Sequence, residues 1–286
     1  MESKGIDPLD FREAQHRNWD AAAVGWKEWS EFNDRAGRHI SERLVELAGV
    51  RPGSRVLDVA AGNGEPALTA ARRAGPEGRV VATDISAEML AFGRERAAAA
   101  GLTNVEFTQS DAAGLDFPPG SFDAAVSRWG IIFEPEAEAA AGRIRGFLGP
   151  GARIAISSWG EPDQVPFLSI PMRTTRERLG VPPPPAGTPG PLSRPTPEAI
   201  GGLLAGGGFS EVTVEQAEVT YEFDSPEHFT AYVRAIAAPV RAMIEQHAGD
   251  SQDEAWEAIT RAAADACGGP GPLSLTNVVL LASATA

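Results

Sequence analysis

Cysteine is almost absent from this chain: Cys267 is the only one in 286 residues. That excludes an intramolecular disulfide and any metal cluster built from cysteines. Lysine is nearly as scarce, limited to Lys4 and Lys27. Lys and Arg together number 25 against 39 acidic residues, for a net charge of -14. Proteins that grip nucleic acid neutralise its phosphates with basic patches. The short arginine groups at Arg72-Arg73 and Arg173 to Arg178 do not reverse the balance, so no nucleic-acid partner is expected. No apolar run approaches the ~20 residues of a membrane-spanning helix. The polar start, Met1 to Asp7, has no apolar stretch of the secretory kind. A cytoplasmic protein is the expectation.

Against these gaps stands a hydrophobic fraction of 43%, enough for a core in one large domain or one and a half. The most informative stretch is Val56-Leu57-Asp58-Val59-Ala60-Ala61-Gly62-Asn63-Gly64-Glu65-Pro66. It reads as a buried strand with an acid near its end, a tight glycine turn and a helix start, for which Pro66 is suited. Val80-Val81-Ala82-Thr83-Asp84 and Phe107-Thr108-Gln109-Ser110-Asp111-Ala112 read as two more strands ending in acids. Open α/β sheets bind ligands at the C-terminal ends of their strands. Three carboxylates there describe a cofactor pocket. Glycines at 62 and 64 let a ligand lie against the backbone. Asp84 is placed to accept from both ribose hydroxyls, and Asp111 with Ala112 to hold an adenine edge. Asp58 and Glu65 set negative charge beside the turn. That disfavours a pyrophosphate and favours a ligand carrying an ammonium and a sulfonium.

These residues resemble the class I S-adenosylmethionine (SAM)-dependent methyltransferases, in the small-molecule branch that includes quinone and natural-product enzymes. The family's acid-x-Gly-x-Gly-x-Gly motif is matched by Asp58 to Gly64, with Ala60 in place of the first glycine. The resemblance implies that Ala60, Gly62 and Gly64 border the methionine part of SAM. Asp84 would hold the ribose, Ile85 and Met89 would lie against the adenine, and Asp111 and Ala112 would hold its edge. Ser121 to Ser127 match the fourth strand and Leu148 to Ile156 the turn and fifth strand, which places Ser127 at the cofactor. The match is good over roughly 40–160 and loose elsewhere. A nicotinamide-linked oxidoreductase is the alternative, because Gly62-Asn63-Gly64-Glu65-Pro66-Ala67 also satisfies Gly-x-Gly-x-x-Ala. Against it stand the acids at 58 and 65 and the lack of a Tyr-x-x-x-Lys pair, since both lysines precede the motif. A third possibility is a fold of this family whose SAM is structural.

The expected architecture is a Rossmann-like, seven-stranded, mostly parallel sheet with helices on both faces. Residues 1–36 form an N-terminal helical lid, with a helix over 8–35, and 37–160 form the cofactor core, opening with a helix over 37–49. Residues 161–223 carry a lid helix, a proline-rich loop and strand six. Residues 224–272 are a helical cap insert with one helix through Phe229 to Ile244 and another over 251–266. Residues 273–286 close the sheet. The apolar cap suggests a small, apolar or aromatic methyl acceptor, methylated at O, C or N in one in-line displacement. Such transfer needs positioning and desolvation more than covalent catalysis.

A general base helps if the acceptor is a hydroxyl or an acidic carbon. Of four histidines, His16 is the leading candidate, in the lid beside Trp19, and His228 the second. Arg128 and Trp129, directly after strand four, border the point where the methyl emerges, and Trp19 is a further candidate against the substrate. Arg128 has the plainer option of pairing with Glu134. No metal site is expected, and a monomer or homodimer fits equally.

Overall fold

The computed structural model describes residues 7–185 and 187–286. Residues 1–6, on which the expectation of no secretory signal largely rests, lie outside the described residues. The strands are β1 (Arg55–Val59), β2 (Arg79–Asp84), β3 (Val105–Gln109), β4 (Phe122–Arg128), β5 (Leu148–Trp159), β6 (Ser210–Phe223) and β7 (Leu273–Thr285). The helices are α1 (Pro8–Glu28), α2 (Ser30–Leu47), α3 (Ala67–Ala74), α4 (Ala87–Ala99), α5 (Ala137–Phe147), α6 (Pro166–Leu179), α7 (Pro197–Gly206), α8 (Pro226–Ile236), α9 (Ala238–His247) and α10 (Gln252–Cys267). The strands form one seven-stranded sheet in the order β3-β2-β1-β4-β5-β7-β6. β7 runs antiparallel to both neighbours, and the pairings from β3 to β5 are parallel.

Period-two alternation sorts the strand side chains to two cores. Val56, Val80, Ala124 and Ala155 join Ile40, Leu44 and the 224–272 helices on one face. Leu57, Val81, Ala125 and Ile154 join Ile144, Leu203 and Leu204 on the other. Because both faces are covered, the inner strands are continuous apolar runs, as parallel sheets require. The order reverses between β1 and β4, so the crevice above their C-terminal ends is the topological switch point.

Two helix expectations are corrected. The first helix ends at Glu28, not 35, and α2 runs from Ser30 to Leu47 without a break at 36. Trp29 interrupts the pair with non-helical backbone (φ -96°, ψ 11°). Gly37 looks like a boundary in sequence but lies inside α2, where a Cβ would come 3.3 Å from the Arg128 guanidinium. The cap holds three helices rather than two. Pro239, near the start of α9, has no N–H to continue the α8 ladder and its ring crowds the preceding turn. Ser225 caps α8 by accepting from His228 N–H at 3.2 Å. Among the described residues no helix is long and apolar enough to cross a membrane.

Candidate active site

A cavity of about 250 Å³ opens at the switch point, with the strand ends as its floor. Its roof comes from the N-terminal helices and from 224–272: Arg12, Trp19, Trp26 and Asn33 on one side, Tyr232 to Val240 on the other. The roof is tied down locally. Arg12 bonds Glu134 with Nε at 3.0 Å and with Nη2, and its Nη2 also reaches Glu136 at 3.0 Å. Asp20 accepts from the Ser86 hydroxyl at 2.5 Å, at the start of α4. Asn33 accepts from the Tyr232 hydroxyl at 2.6 Å, joining the two halves of the roof.

The cavity has two unlike ends. At the β1–β3 end the floor is backbone and carboxylate. Ala60 and Gly62 both adopt left-handed φ, 59° and 54°. A Cβ on Gly62 would meet no protein atom within 4 Å, so this backbone lies open to a ligand. Asp84 accepts from Gly62 N–H at 2.8 Å and from Ser86 N–H at 2.9 Å. Its carboxyl is fixed by the turn while each oxygen keeps a lone pair free. Burial pushes its pKa up to about 6, against the lowering effect of those amides. Ile85, Met89, Asp111 and Ala112 continue this wall.

At the β4–β5 end the wall is aromatic. Trp129 stacks on Trp159 (centroids 4.4 Å apart, 6° between planes) and Phe167 stacks on Tyr221 (4.5 Å, 10°). Trp129 is held at φ 55°, a region that costs a non-glycine residue roughly 1–3 kcal/mol. Its N–H, donating to Ser157 Oγ at 2.9 Å, helps keep it there. Tyr221 and Tyr232 are fully buried, and burial raises both phenols, Tyr221 to about 12.

Of the residues singled out in sequence, Ala60, Gly62, Asp84, Ile85, Met89, Asp111, Ala112, Arg128, Trp129 and Trp19 meet on this cavity. Four do not line it. Asp58 is fully buried behind the wall with both oxygens unpartnered, and desolvation drives its pKa well above the usual carboxylate range. The other acid at the turn, Glu65, does line the cavity; it accepts from Thr69 Oγ1 at 2.7 Å and pairs with Arg72 at 3.5 Å. Gly64 faces Leu68, not the cavity. Ser127 points back into the fold, donating to Val59 C=O at 2.8 Å and accepting from Ile131 N–H at 3.1 Å. His16 lies outside on α1, 3.1 Å from Asp20.

The option of an Arg128–Glu134 pair is also corrected: Glu134 belongs to Arg12, and Arg128 donates to Ser41 Oγ at 2.8 Å. His228 pairs with Asp224 at 3.4 Å and packs on Trp29. Sequence reasoning missed Arg12, Asn33, Trp159 and Tyr221, while Tyr232 sits on the cap helix expected through Phe229 to Ile244. Trp159 was within reach, since it ends β5 as Asp84 ends β2. The other three depend on how the roof folds over the sheet.

Known proteins are similar to this chain chiefly over the stretch from β1 into β5. A family model described as a methyltransferase domain matches residues 56–151. The ubiquinone/menaquinone biosynthesis C-methyltransferase UbiE of Pseudomonas putida is 40% identical over 119 residues, covering 41% of this chain and 46% of that protein. UbiE of Teredinibacter turnerae is 39% identical over the same length. The chain thus spans about half the length of the curated relatives it matches. Among solved structures, phosphoethanolamine N-methyltransferase 2 of Haemonchus contortus, in complex with phosphomonomethylethanolamine and S-adenosylhomocysteine, has a TM-score of 0.58 at 21% identity. That match covers 98% of this chain and 60% of that one. The [4+2]-cyclase SpnF has a TM-score of 0.54 at 21% identity, covering 87% of this chain and 82% of that one. At these identities the likeness establishes the fold.

Proposed function

We propose that the chain is a class I SAM-dependent methyltransferase that transfers a methyl group from SAM to a small, mostly apolar acceptor. One observation carries this reading: a single cavity at the switch point joins an acidic, backbone-lined end to an aromatic one. The acidic end fits SAM. Asp84 offers two oriented oxygens to ribose hydroxyls, the bare backbone at Ala60 to Gly62 leaves room beside it, and Glu65 suits a ligand bearing an ammonium and a sulfonium. Ile85, Met89, Asp111 and Ala112 would hold the adenine. When bound, SAM supplies a methyl group activated by its sulfonium, so no covalent intermediate with the protein is needed.

The protein's part is to orient and to exclude water. Trp129 and Trp159 present a flat apolar wall, and the α1 and α8–α9 roof closes over it. Arg12, fixed on Glu134 and Glu136, keeps that roof seated. We place the enzyme in the cytoplasm, with a small-molecule partner and no nucleic acid. The acidic wall speaks against a nicotinamide pyrophosphate. SpnF, a [4+2]-cyclase of similar fold, illustrates that the fold alone does not fix the reaction.

The test is a thermal-unfolding scan with S-adenosylhomocysteine, NAD and NADP, followed by transfer of labelled methyl from SAM to an acceptor panel. A ligand at ~100 times its dissociation constant adds about 2.7 kcal/mol. A rise in midpoint with S-adenosylhomocysteine alone, followed by labelled product, is expected. A rise with NAD or NADP alone would overturn the proposal.

A further inference from the structure

The aromatic end of the cavity contains a positive charge that the fold leaves unmatched. Arg128 ends β4 and lines the cavity, beside the Trp129 ring (5.1 Å from guanidinium carbon to centroid). Its Nη1 donates to Ser41 Oγ at 2.8 Å and to Gly37 C=O at 3.5 Å. Among the described residues no carboxylate lies within 4 Å of it, whereas nearby Arg12 is fully engaged by Glu134 and Glu136. Nε and Nη2 have no protein acceptor among the described residues. Arginine carries its charge at every physiological pH, with donors forked to match an oxyanion. Arg128 is half-buried and its Nε and Nη2 are not sealed in the fold, so they are open to a partner in the cavity.

We propose that Arg128 is the anchor for a negatively charged oxygen on the methyl acceptor, so that the substrate is a conjugated oxyanion: a phenolate, enolate or aromatic carboxylate. This rests on the methyltransferase reading of the same cavity. The groups around Arg128 agree with it. Asp58, on β1, is buried and makes no ion pair with the guanidinium; burial raises its carboxyl, against the opposing pull of Arg128. Tyr221 on β6 and Tyr232 on α8 stay protonated, because burial raises both phenols. Neither tyrosine serves as a base, and no histidine lines the cavity among the described residues. On this proposal the acceptor binds as its anion, and Arg128 meets that charge. Its lone pair forms the new bond to the methyl carbon while the carbon–sulfur pair stays with sulfur, and the oxyanion's charge cancels that of the sulfonium.

The test measures equilibrium binding to the protein saturated with S-adenosylhomocysteine. Two matched pairs of probes are used: 2-naphthoate against 2-naphthamide, and 4-nitrophenolate against 4-nitroanisole. The anion of at least one pair should bind 10-fold or more tighter than its neutral partner, and the preferred pair tells carboxylate from phenolate chemistry. Arg128→Met should abolish that preference, Arg128→Lys should retain part of it, and S-adenosylhomocysteine affinity should change less than threefold in both. Equal binding of anion and neutral probe in both pairs would overturn the proposal, as would an anion preference that survives Arg128→Met. Loss of S-adenosylhomocysteine binding by the wild type would instead strike the cofactor reading, so the two failures are separable. With substrate in hand, the wild-type pH–rate profile should follow the acceptor's own ionisation.

Discussion

With Asp84 as the proposed ribose acceptor, cofactor binding should be proton-linked, and the linkage can be worked out from its burial. In the unliganded protein burial raises the carboxyl to about 6, with Gly62 and Ser86 amides opposing it. Ribose hydroxyls donating to the ionised carboxylate favour the charged form and pull the pKa back down. Binding then expels a proton wherever the free protein still holds one. At pH 6 Asp84 is about half protonated, so about half a proton should be released per S-adenosylhomocysteine bound. Affinity should be level above pH 7 and fall below 6, approaching tenfold per pH unit.

Titration calorimetry at pH 6 in buffers of different ionisation enthalpy reads the proton count directly. In Asp84→Asn the release should vanish. At pH 8 the variant should lose about 2–3 kcal/mol of affinity as charge-assisted bonds are replaced by neutral ones, or 30- to 150-fold. The same shift acts on the unliganded fold with a definite sign. The folded pKa lies above the ordinary carboxylate value of 3.8, so the stabilisation from proton uptake is full below ~4 and lost as pH rises through 6. Calorimetry showing no proton release by the wild type at pH 6, with affinity flat from 5 to 8, would refute the ribose role of Asp84.

Gly25→Ala should destabilise the protein despite the ~1 kcal/mol helix-propensity gain. The new Cβ would fall 2.2 Å from the Ala235 carbonyl oxygen on α8, and backbone cannot rotate away. Overpacking of this kind costs 1–3 kcal/mol, and a midpoint lowered by about 2–6 °C in a thermal scan is expected. His16→Ala should keep turnover within about threefold, because the ring sits off the cavity on Asp20; a 100-fold loss would restore it as a general base. Trp159→Leu removes the face that stacks on Trp129. Initial-rate kinetics should show at least a tenfold loss of kcat/KM for an aromatic acceptor, while calorimetry finds S-adenosylhomocysteine affinity within threefold.

The cofactor end was legible because local grammar determines it. Strand, acid and glycine turn are contiguous, and a strand's C-terminal end is defined by its own sequence, so Asp84, Asp111 and the Ala60–Gly62 backbone land together on one wall. Side-chain direction within that motif was not legible. Asp58 and Ser127 have the right sequence positions, yet the pleat turns one into the core and the other back onto Val59. The aromatic end was mostly invisible, since Asn33, Tyr221 and Tyr232 come from three distant segments brought together only by tertiary packing. Helix boundaries failed where one residue carries two messages. Gly37 reads as a stop but provides room for Arg128, and Pro239 sits within an apolar stripe that looked unbroken.

The Asn33–Tyr232 bond sets a rule for anyone redesigning this enzyme. It buries a phenol donor against an acceptor supplied by a segment 199 residues away. Gly25 meets Ala235, and Trp29 meets His228, along the same seam. A chimera that imports only a new 224–272 segment would strand the Asn33 carbonyl and collide along α1. Importing only a new N-terminus would orphan the Tyr232 hydroxyl. The two segments are one exchangeable part that happens to be encoded in two places. Transplanted together, they should carry acceptor preference onto a related core while the β1–β3 wall continues to hold the same cofactor.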